Sequence, residues 1–396
     1  MLTKENLWVA GGEATSTHQI LTSGDGITWT GSTSGDFVFD GGQCLAVAYN
    51  NLPGSDGLWV AGGGYTTNNN NIAYSSDAVS WTGSSVFYND VCNALAHNGL
   101  INGGLWVAGG SGNNNLKLAY SSNGISWFGS TSGDKKLSGI CKTVASNRLG
   151  GGNGLWVAGG NGPPHTLITS GDGINWTGST SGDLAFAGGA CRAVAYNGLQ
   201  GGDGLWIAAG GGFLSESYTS HYIVYSRDGL SWTGSASGDL VFTGTDSTCL
   251  AVAHNGIQGS NGLWVAAGDL FAPNKIAYSS DGIIWFGSTS GNSVIGEFGA
   301  CRSVAYSGQQ GLWIAGGGNG STNQISYSRD GITWTGSTSG NLGFLGGFCD
   351  TVAFGKTNVI TPDLTTTPSS YIYQVANSSF NNFSTNFRGM ANIGEY

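Results

Sequence analysis

Charged residues are scarce in this sequence, and basic residues are scarcer than acidic ones. Charged side chains make up 9% of the 396 residues, and 13 Lys and Arg stand against 23 Asp and Glu. A protein that binds nucleic acid needs a basic surface to contact the phosphates, so the formal charge of −10 excludes nucleic acid from the expected partners. No apolar run reaches about 18 residues, so we expect no membrane span.

We also expect no secretory leader. The first residues, MLTKENLWVAGG, contain no apolar stretch of the kind that a signal peptide requires. We therefore expect the protein to be made in the cytosol.

What the sequence has is a repeat. Its seven cysteines recur about every 50 residues, and each begins a similar phrase, such as CLAVAYN or CRAVAYN. A period of this length is typical of repeat arrays and propellers. One cysteine in each of an odd number of repeats argues against a disulfide framework, and no histidine recurs beside them. We predict buried free thiols and no metal site at Cys44, Cys92, Cys141, Cys191, Cys249, Cys301 and Cys349.

The 14 tryptophans follow the same period. Seven lie in the phrase LW[VI]A and seven end a phrase similar to DGITW. Each repeat thus has four segments of about five to seven residues, rich in Val, Ile, Tyr and Trp and separated by turn residues, which is the pattern of strands. No helical periodicity extends past these breaks. We predict an all-β fold, a seven-bladed β-propeller, with the small-residue cysteine strand innermost.

The order of the strands predicts how the ring closes. The chain begins with the second strand of a blade, at 7–10, and its last repeat ends with a first strand, at 349–354. Pairing of these two segments would close the ring and cover two sheet edges. We expect a propeller over 1–355, followed by a linker and an aromatic and Asn-rich tail over 356–396.

Five of the seven turns before a fourth strand have the form S-x-D-G-x-x-W, as in SGDGITW at 23–29, and the other two have Ala78 for Gly and Asn123 for Asp. This form resembles the Asp-box, or BNR repeat, of sialidase-like propellers, although it lacks the residue between Asp and Gly. In that family the motif is structural, and here the Asp side chain can accept from turn amides while Gly allows positive φ. One carboxylate per turn is too few ligands for calcium. We expect structural turns at Asp25, Asp77, Asn123, Asp172, Asp228, Asp281 and Asp330.

The repeat phrases are also similar to those of uncharacterised repeat propeller proteins of large DNA viruses. This resemblance implies a component of a virion or of a particle surface. Free thiols, few charges and cytosolic synthesis fit that role.

The residue after each first-strand cysteine should lie at the upper mouth of the channel, the mouth on the side of the links between blades. Three of these residues, Lys142, Arg192 and Arg302, are candidates for holding a carboxylate or a sulfate. The alternative is that they pair with Asp350 or with loop acids, or are solvated. The resemblance implies an arginine triad and a Tyr–Glu pair in an active family member, whereas only five glutamates occur here. No two carboxyl groups can be placed across a scissile bond, so we expect no enzyme activity and no cofactor.

The connections between second and third strands differ most among the repeats, and variable loops on a rigid scaffold suit recognition. The longest has aromatic and polar groups that suit a sugar ring or a protein patch, although surface loops also tolerate insertions without function. The candidate ligand-binding residues are Phe213, Glu216, Tyr218, His221 and Tyr222. Aromatic residues of the tail either pack on the propeller or bind a partner. The candidate anchor residues are Tyr371, Tyr373, Phe380, Phe383 and Phe387.

Three functions follow from these features. The favoured one is a non-enzymatic binding or structural propeller that presents its upper face to a glycan or protein, with the tail as an anchor in a higher-order assembly. The second is a multivalent lectin with inter-blade sugar sites formed by the repeated phrase GSTSGD. The third is a sialidase-like glycoside hydrolase, which rests on the Asp-box likeness.

Overall fold

The computed structural model describes residues 2–360, except 14–17, 53–56, 65, 88–89, 102–103, 112–115, 138, 150–153, 163, 188, 200–202, 212–220, 245–246 and 319; for 2–5 and 356–360 it describes the backbone alone. Seven four-stranded antiparallel sheets are arranged in a ring, so the chain is a seven-bladed β-propeller. Residues 6–357 form one compact unit that contains the ring.

The strands occur in chain order with the following bounds. Blades one to three contain β1 (Leu2–Glu13), β2 (Ile20–Ser23), β3 (Thr30–Gly31), β4 (Gln43–Tyr49), β5 (Trp59–Gly64), β6 (Ile72–Ser75), β7 (Thr82–Ser84), β8 (Cys92–His97), β9 (Trp106–Gly110), β10 (Leu118–Ser121) and β11 (Phe128–Gly129). Blades four and five contain β12 (Cys141–Ser146), β13 (Trp156–Gly160), β14 (Leu167–Ser170), β15 (Thr177–Gly178), β16 (Ala190–Tyr196), β17 (Trp206–Gly211), β18 (Ile223–Ser226) and β19 (Thr233–Gly234). Blades six and seven contain β20 (Cys249–His254), β21 (Trp264–Gly268), β22 (Ile276–Ser279), β23 (Phe286–Gly287), β24 (Ala300–Ser307), β25 (Leu312–Gly318), β26 (Ile325–Ser328) and β27 (Thr335–Gly336). The last strand, β28 (Phe348–Ile360), belongs to blade one.

The predicted ring closure is confirmed. Blade one has the order β28-β1-β2-β3, so its first strand comes from the end of the repeat region. Hydrogen bonds continue from this strand to both neighbours: Thr351 Oγ1 accepts from the Val47 amide at 3.2 Å, and the Val352 amide donates to Ser303 Oγ at 3.0 Å. The last strand is therefore bonded within the sheet of blade one and also to the two neighbouring blades.

Burial is concentrated in the second strands, whose residues pack between adjacent blades. The LW[VI]A tryptophans are among the largest buried side chains; Trp206 is 1% exposed. Trp206 stacks on Tyr196 of the same blade with ring centroids 4.9 Å apart. The first-strand cysteines are buried free thiols, as predicted. Burial raises the pKa of Cys301 to about 12, so the thiol stays protonated at neutral pH.

Six short helices follow fourth strands, and the sequence pattern gave no expectation of them. They are α1 (Thr33–Val38), α2 (Thr131–Lys136), α3 (Thr180–Phe186), α4 (Ala236–Val241), α5 (Thr289–Ile295) and α6 (Thr338–Gly343). Each starts after a serine whose side chain accepts from a backbone amide in the first turn, as Ser32 does from Gly35 at 3.2 Å. The fourth strands are correspondingly short, with two residues in β3, because the chain leaves the sheet to form the helix.

The same links fasten each blade to the next. Ser32 Oγ donates to the carbonyl oxygen of Val79 in the following blade at 2.9 Å. Ser34 Oγ accepts from the Trp81 amide at 2.9 Å. Equivalent hydroxyl-to-carbonyl bonds join later blades, and Ser337 donates to Ile27 across the closure at 2.6 Å. The serines of GSTSGD, which a lectin would use for sugars, are thus engaged in contacts between blades.

Candidate functional site

The upper mouth of the channel is formed at a β-bulge that recurs in the first strands. Each strand pair from β4–β5 to β24–β25 shifts register at the residue after the cysteine, as between Cys191 and Ala193. A bulge of this kind turns one side chain away from the regular alternation. The seven residues after the cysteines line one cavity of about 150 Å³; they are Leu45, Asn93, Lys142, Arg192, Leu250, Arg302 and Asp350. We call them the mouth ring.

The mouth ring carries three cationic side chains and one carboxylate in a protein whose net charge is −10. Arg302 Nη1 pairs with Asp350 Oδ1 at 2.7 Å, and the Asp350 side chain is 6% exposed. Arg302 also lies 4.8 Å from the centroid of the Phe348 ring. The Arg302–Asp350 pair has no net charge, so the net positive charge of the mouth ring comes from Lys142 and Arg192.

Burial perturbs the titration of these groups. It lowers the pKa of the Lys142 ammonium, and the charge of Arg192 lowers it further. Burial also lowers the pKa of Arg192, against an opposing effect of Asp269. It raises the pKa of Asp350, against the attraction of Arg302. Like charges held out of water destabilise the protein, and such perturbed groups mark candidate binding sites.

Several polar atoms of the mouth ring have no hydrogen-bond partner among the described residues. They include Asn93 Nδ2, Arg192 Nε and Asp350 Oδ2, all of which are buried. Native proteins pair most of their buried polar atoms. Two donors and one acceptor of the mouth ring are therefore buried without a partner among the described residues.

The turns between third and fourth strands are held by their own side chains. Asp25 Oδ1 accepts from the amides of Ile27 at 2.8 Å and Thr28 at 2.7 Å. Gly26 has φ +74° and donates to Ser23 Oγ at 2.8 Å. The same acceptor contacts occur at Asp77, Asn123, Asp172, Asp228, Asp281 and Asp330. The carboxylates therefore accept hydrogen bonds from the backbone of the turn, and the side-chain oxygen of Asn123 makes the same contacts.

The long loop of blade five is described only at its end. Phe213, Glu216 and Tyr218 lie outside the described residues, as do the tail residues 371–387. His221 Nδ1 lies 2.6 Å from Asp239 Oδ2 of α4. Tyr222 is 6% exposed, and its hydroxyl donates to the Gly244 carbonyl at 2.7 Å. These two side chains hold the end of the loop to the blade, so a ligand site here depends on the other three.

Two further searches concern metals and membranes. Among the described residues, no group of three or more His, Cys, Asp or Glu side chains lies close enough together to hold a metal ion. None of the described helices has the length and apolar character needed to cross a bilayer.

The sequence predicted that the mouth-ring residues lie together at the upper mouth of the channel. It did not predict two features of the channel. One is the bulge, which a periodic pattern of small residues does not reveal. The other is a second cavity in the lower half of the channel, lined by the far ends of the first strands. A signal for it was present, because Arg148 occupies a position that is Gly in four other repeats.

Comparison with protein-family models gave no match, and neither did comparison with curated proteins. Among solved structures, a protein from Lactobacillus plantarum matches at 9% identity over 89% of this chain and 99% of that chain, with a TM-score of 0.49. Sqt1 from Saccharomyces cerevisiae matches at 11% identity over 74% and 73%, with a TM-score of 0.45. A putative 6-phosphogluconolactonase from Bacteroides uniformis matches at 11% identity over 84% and 81%, with a TM-score of 0.37. Likeness at this level has no bearing on activity.

Proposed function

We propose that this propeller is a non-enzymatic binding protein whose upper face recognises a glycan or a protein through an acidic group held in the mouth ring. The observation that carries the proposal is the cluster of Lys142, Arg192 and Arg302 around a cavity with unpaired buried polar atoms. Arginine suits carboxylate, sulfate and phosphate, which it can bind with two parallel hydrogen bonds. A recessed site of one sign of charge also attracts oppositely charged ligands.

The size of the cavity limits what it can take. About 150 Å³ is below the roughly 300 Å³ at which pockets for whole small molecules begin. It has room for one functional group, so the rest of the ligand would lie on the upper face, among the loops between second and third strands. A large acidic ligand fits this arrangement better than a free metabolite.

Catalysis has little support in the mouth ring. Its single carboxylate, Asp350, is paired with Arg302, whereas glycoside hydrolysis uses two carboxyl groups across the scissile bond. A fluorogenic sialoside assay tests this part of the proposal. We expect no turnover by the wild type, and turnover that Arg192→Ala abolishes would refute it.

The binding proposal is tested on an array of neutral, carboxylated and sulfated glycans, with acidic proteins of the native source as a parallel arm. We expect the wild type to retain acidic ligands and Arg192→Ala to lose about tenfold in affinity, because a buried charge contact is removed. Arg329→Ala is the matched control, since Arg329 is exposed and lies in a turn outside the ring. Equal binding by all three proteins would contradict the proposal.

We also propose that the tail over 356–396 anchors the propeller in a larger assembly, such as a virion or a particle surface. Its aromatic residues, outside the described part of the chain, suggest burial against a partner. Pull-down from the native source with and without the tail tests this. The anchor role is wrong if tail removal leaves every partner bound.

A further inference from the structure

The lower half of the channel contains a second cavity, of about 500 Å³. It is lined by the far ends of the first strands of all seven blades, so it opens at the opposite end of the axis from the mouth ring. This volume lies within the range of pockets that hold whole small molecules. The function proposed above makes no use of it.

Aromatic rings from six blades contribute to the wall of the lower cavity. Six blades place a ring at the fifth residue after the first-strand cysteine; these are Tyr49, His97, Tyr196, His254, Tyr306 and Phe354. Each ring packs on a buried tryptophan of its own blade, with centroids 4.7 to 5.0 Å apart. The wall is therefore held in place before any ligand arrives, and rigid aromatic surfaces bind flat rings well.

The two histidines add no charge to the wall at neutral pH. Nδ1 of His97 accepts from the Gly99 amide at 2.9 Å, and Nδ1 of His254 accepts from the Gly256 amide at 2.9 Å. Burial lowers the pKa of both histidines to about 4.

Blade four breaks this wall and supplies a charge instead. Ser146 stands where the other blades have a ring, and two residues later Arg148 lines the cavity. Arg148 is the one Lys, Arg, Asp or Glu side chain among the described residues of the lining. None of the described lining residues therefore offers the guanidinium a carboxylate.

The backbone at Arg148 is strained. Its φ is +58°, and the equivalent Asn51 of blade two has φ +57°, whereas the equivalent positions of blades three, five and six are Gly99, Gly198 and Gly256, with φ of +70°, +76° and +69°. A residue with a side chain is strained in this conformation, which glycine adopts freely. Strain kept where glycine would fit without it is a pointer to function.

From these observations we propose that the lower cavity binds one small aromatic anion, a flat ring system that bears a carboxylate, sulfonate or phosphate group. Arg148 pairs with the anionic group, and the ring system lies against the aromatic wall. The site is independent of the mouth ring, because the two cavities share no lining residue.

The test uses two probes that differ in charge, 8-anilinonaphthalene-1-sulfonate and the uncharged N-phenyl-1-naphthylamine. We expect the full-length protein to bind one sulfonate probe per chain, by fluorescence titration and calorimetry. Arg148→Gly should weaken the sulfonate probe about tenfold or more and the uncharged probe less than about threefold, since it removes the ion pair and keeps the wall. Arg148→Lys should retain part of the preference for the sulfonate.

The variant is well placed for a control of folding, because it introduces the residue that four other blades already have. Its melting temperature should equal or exceed that of the wild type. Arg329→Ala, which alters an exposed turn residue that lines neither cavity, should leave the affinity for the sulfonate unchanged. The proposal is overturned if the wild type shows no saturable sulfonate site, if Arg148→Gly binds both probes as the wild type does, or if Arg329→Ala weakens the sulfonate as much as Arg148→Gly.

Discussion

Lys142 and Arg192 stand at equivalent positions of neighbouring blades, and the charge of Arg192 makes it harder to keep Lys142 protonated. Burial lowers the pKa of Lys142, and Arg192 lowers it further. A protein that only needed a stable ring would be expected to place uncharged residues here, as it does at Leu45 and Leu250. At the residue scale, the buried charges of Lys142 and Arg192 lower the stability of the ring, and a loss of stability of this kind is common at functional sites.

The cost of this charge can be measured. Lys142→Met should raise the melting temperature by about 1–3 °C, because it removes a partly buried ammonium beside Arg192 and keeps the aliphatic contact. The same change should weaken binding of acidic ligands. Lys135→Met is the control, since Lys135 is exposed on α2, and it should change neither quantity. A lower melting temperature for Lys142→Met would show that the lysine stabilises the ring.

Asp172 gives a prediction about pH. Burial alone would raise the pKa of its carboxyl, but hydrogen bonds from Asn175 and Ile174 outweigh this and lower it to about 2. The unfolded value is about 3.9, so its stabilising effect is complete above about pH 4 and is lost between about pH 4 and 2. Asp172→Asn keeps the acceptor oxygen but does not titrate.

The melting temperature of Asp172→Asn should therefore fall below that of the wild type at neutral pH, and the difference should shrink as the pH falls toward 2. Asn123→Asp should show the reverse behaviour in blade three. A difference that stays constant from pH 7 to about 2.5 would contradict the assignment of this pKa.

At the scale of elements, the turn between the third and fourth strands shows why glycine is needed in six of the seven repeats. Gly173 has φ +73°, and a Cβ placed there would lie 2.6 Å from Leu105 Cδ2. The same position in blade two is Ala78, with φ +60°, and it is fully buried. One blade therefore accommodates a methyl group that the others would have to move side chains to accept.

Gly173→Ala should lower the free energy of unfolding by about 1–3 kcal/mol, because it adds both the backbone strain and the contact with Leu105. Ala78→Gly should change it by less than about 1 kcal/mol, since relief of strain offsets the lost packing and the greater freedom of the unfolded chain. Chemical denaturation of the two variants measures both values. Equal losses in both would mean that the turns are not adapted blade by blade.

The sequence could predict those elements whose residues recur at the same position in every repeat. The strands and the closure by β28 followed from the spacing of Cys and Trp, because buried positions recur in every blade. The helices were missed, since a six-residue segment with a central glycine, as in α1, has no apolar periodicity; the serine cap and Asp36 in the first turn were the available signal. The bulges and the lower cavity could not be foreseen, because they depend on how seven strands meet at one axis.

At the scale of the whole molecule, stability depends on closing the ring. β28 supplies the first strand of blade one, and Thr351 and Val352 bond to blades two and seven. Without this strand, β1 would be an unpaired sheet edge, which favours aggregation. The ring should therefore behave as one cooperative unit in which the two ends of the repeat region depend on each other.

Two truncations separate closure from the tail. A chain that ends at residue 360 should keep a cooperative thermal transition close to that of the full chain. A chain that ends at residue 347 lacks β28 and should lose more than about 5 kcal/mol, which is comparable with the stability of a whole domain. Calorimetry with light scattering distinguishes the two, and similar transitions for both chains would show that the ring does not need closure.

The central claim is that the mouth ring holds an anionic group, and selenate tests it most directly because anomalous diffraction locates the selenium atom. In crystals soaked with selenate, we predict one anomalous peak inside the mouth ring, within hydrogen-bond reach of Arg192 and Lys142, and its loss in Arg192→Ala. No peak in the mouth ring of the wild type, or a peak of equal height in the variant, would contradict the account.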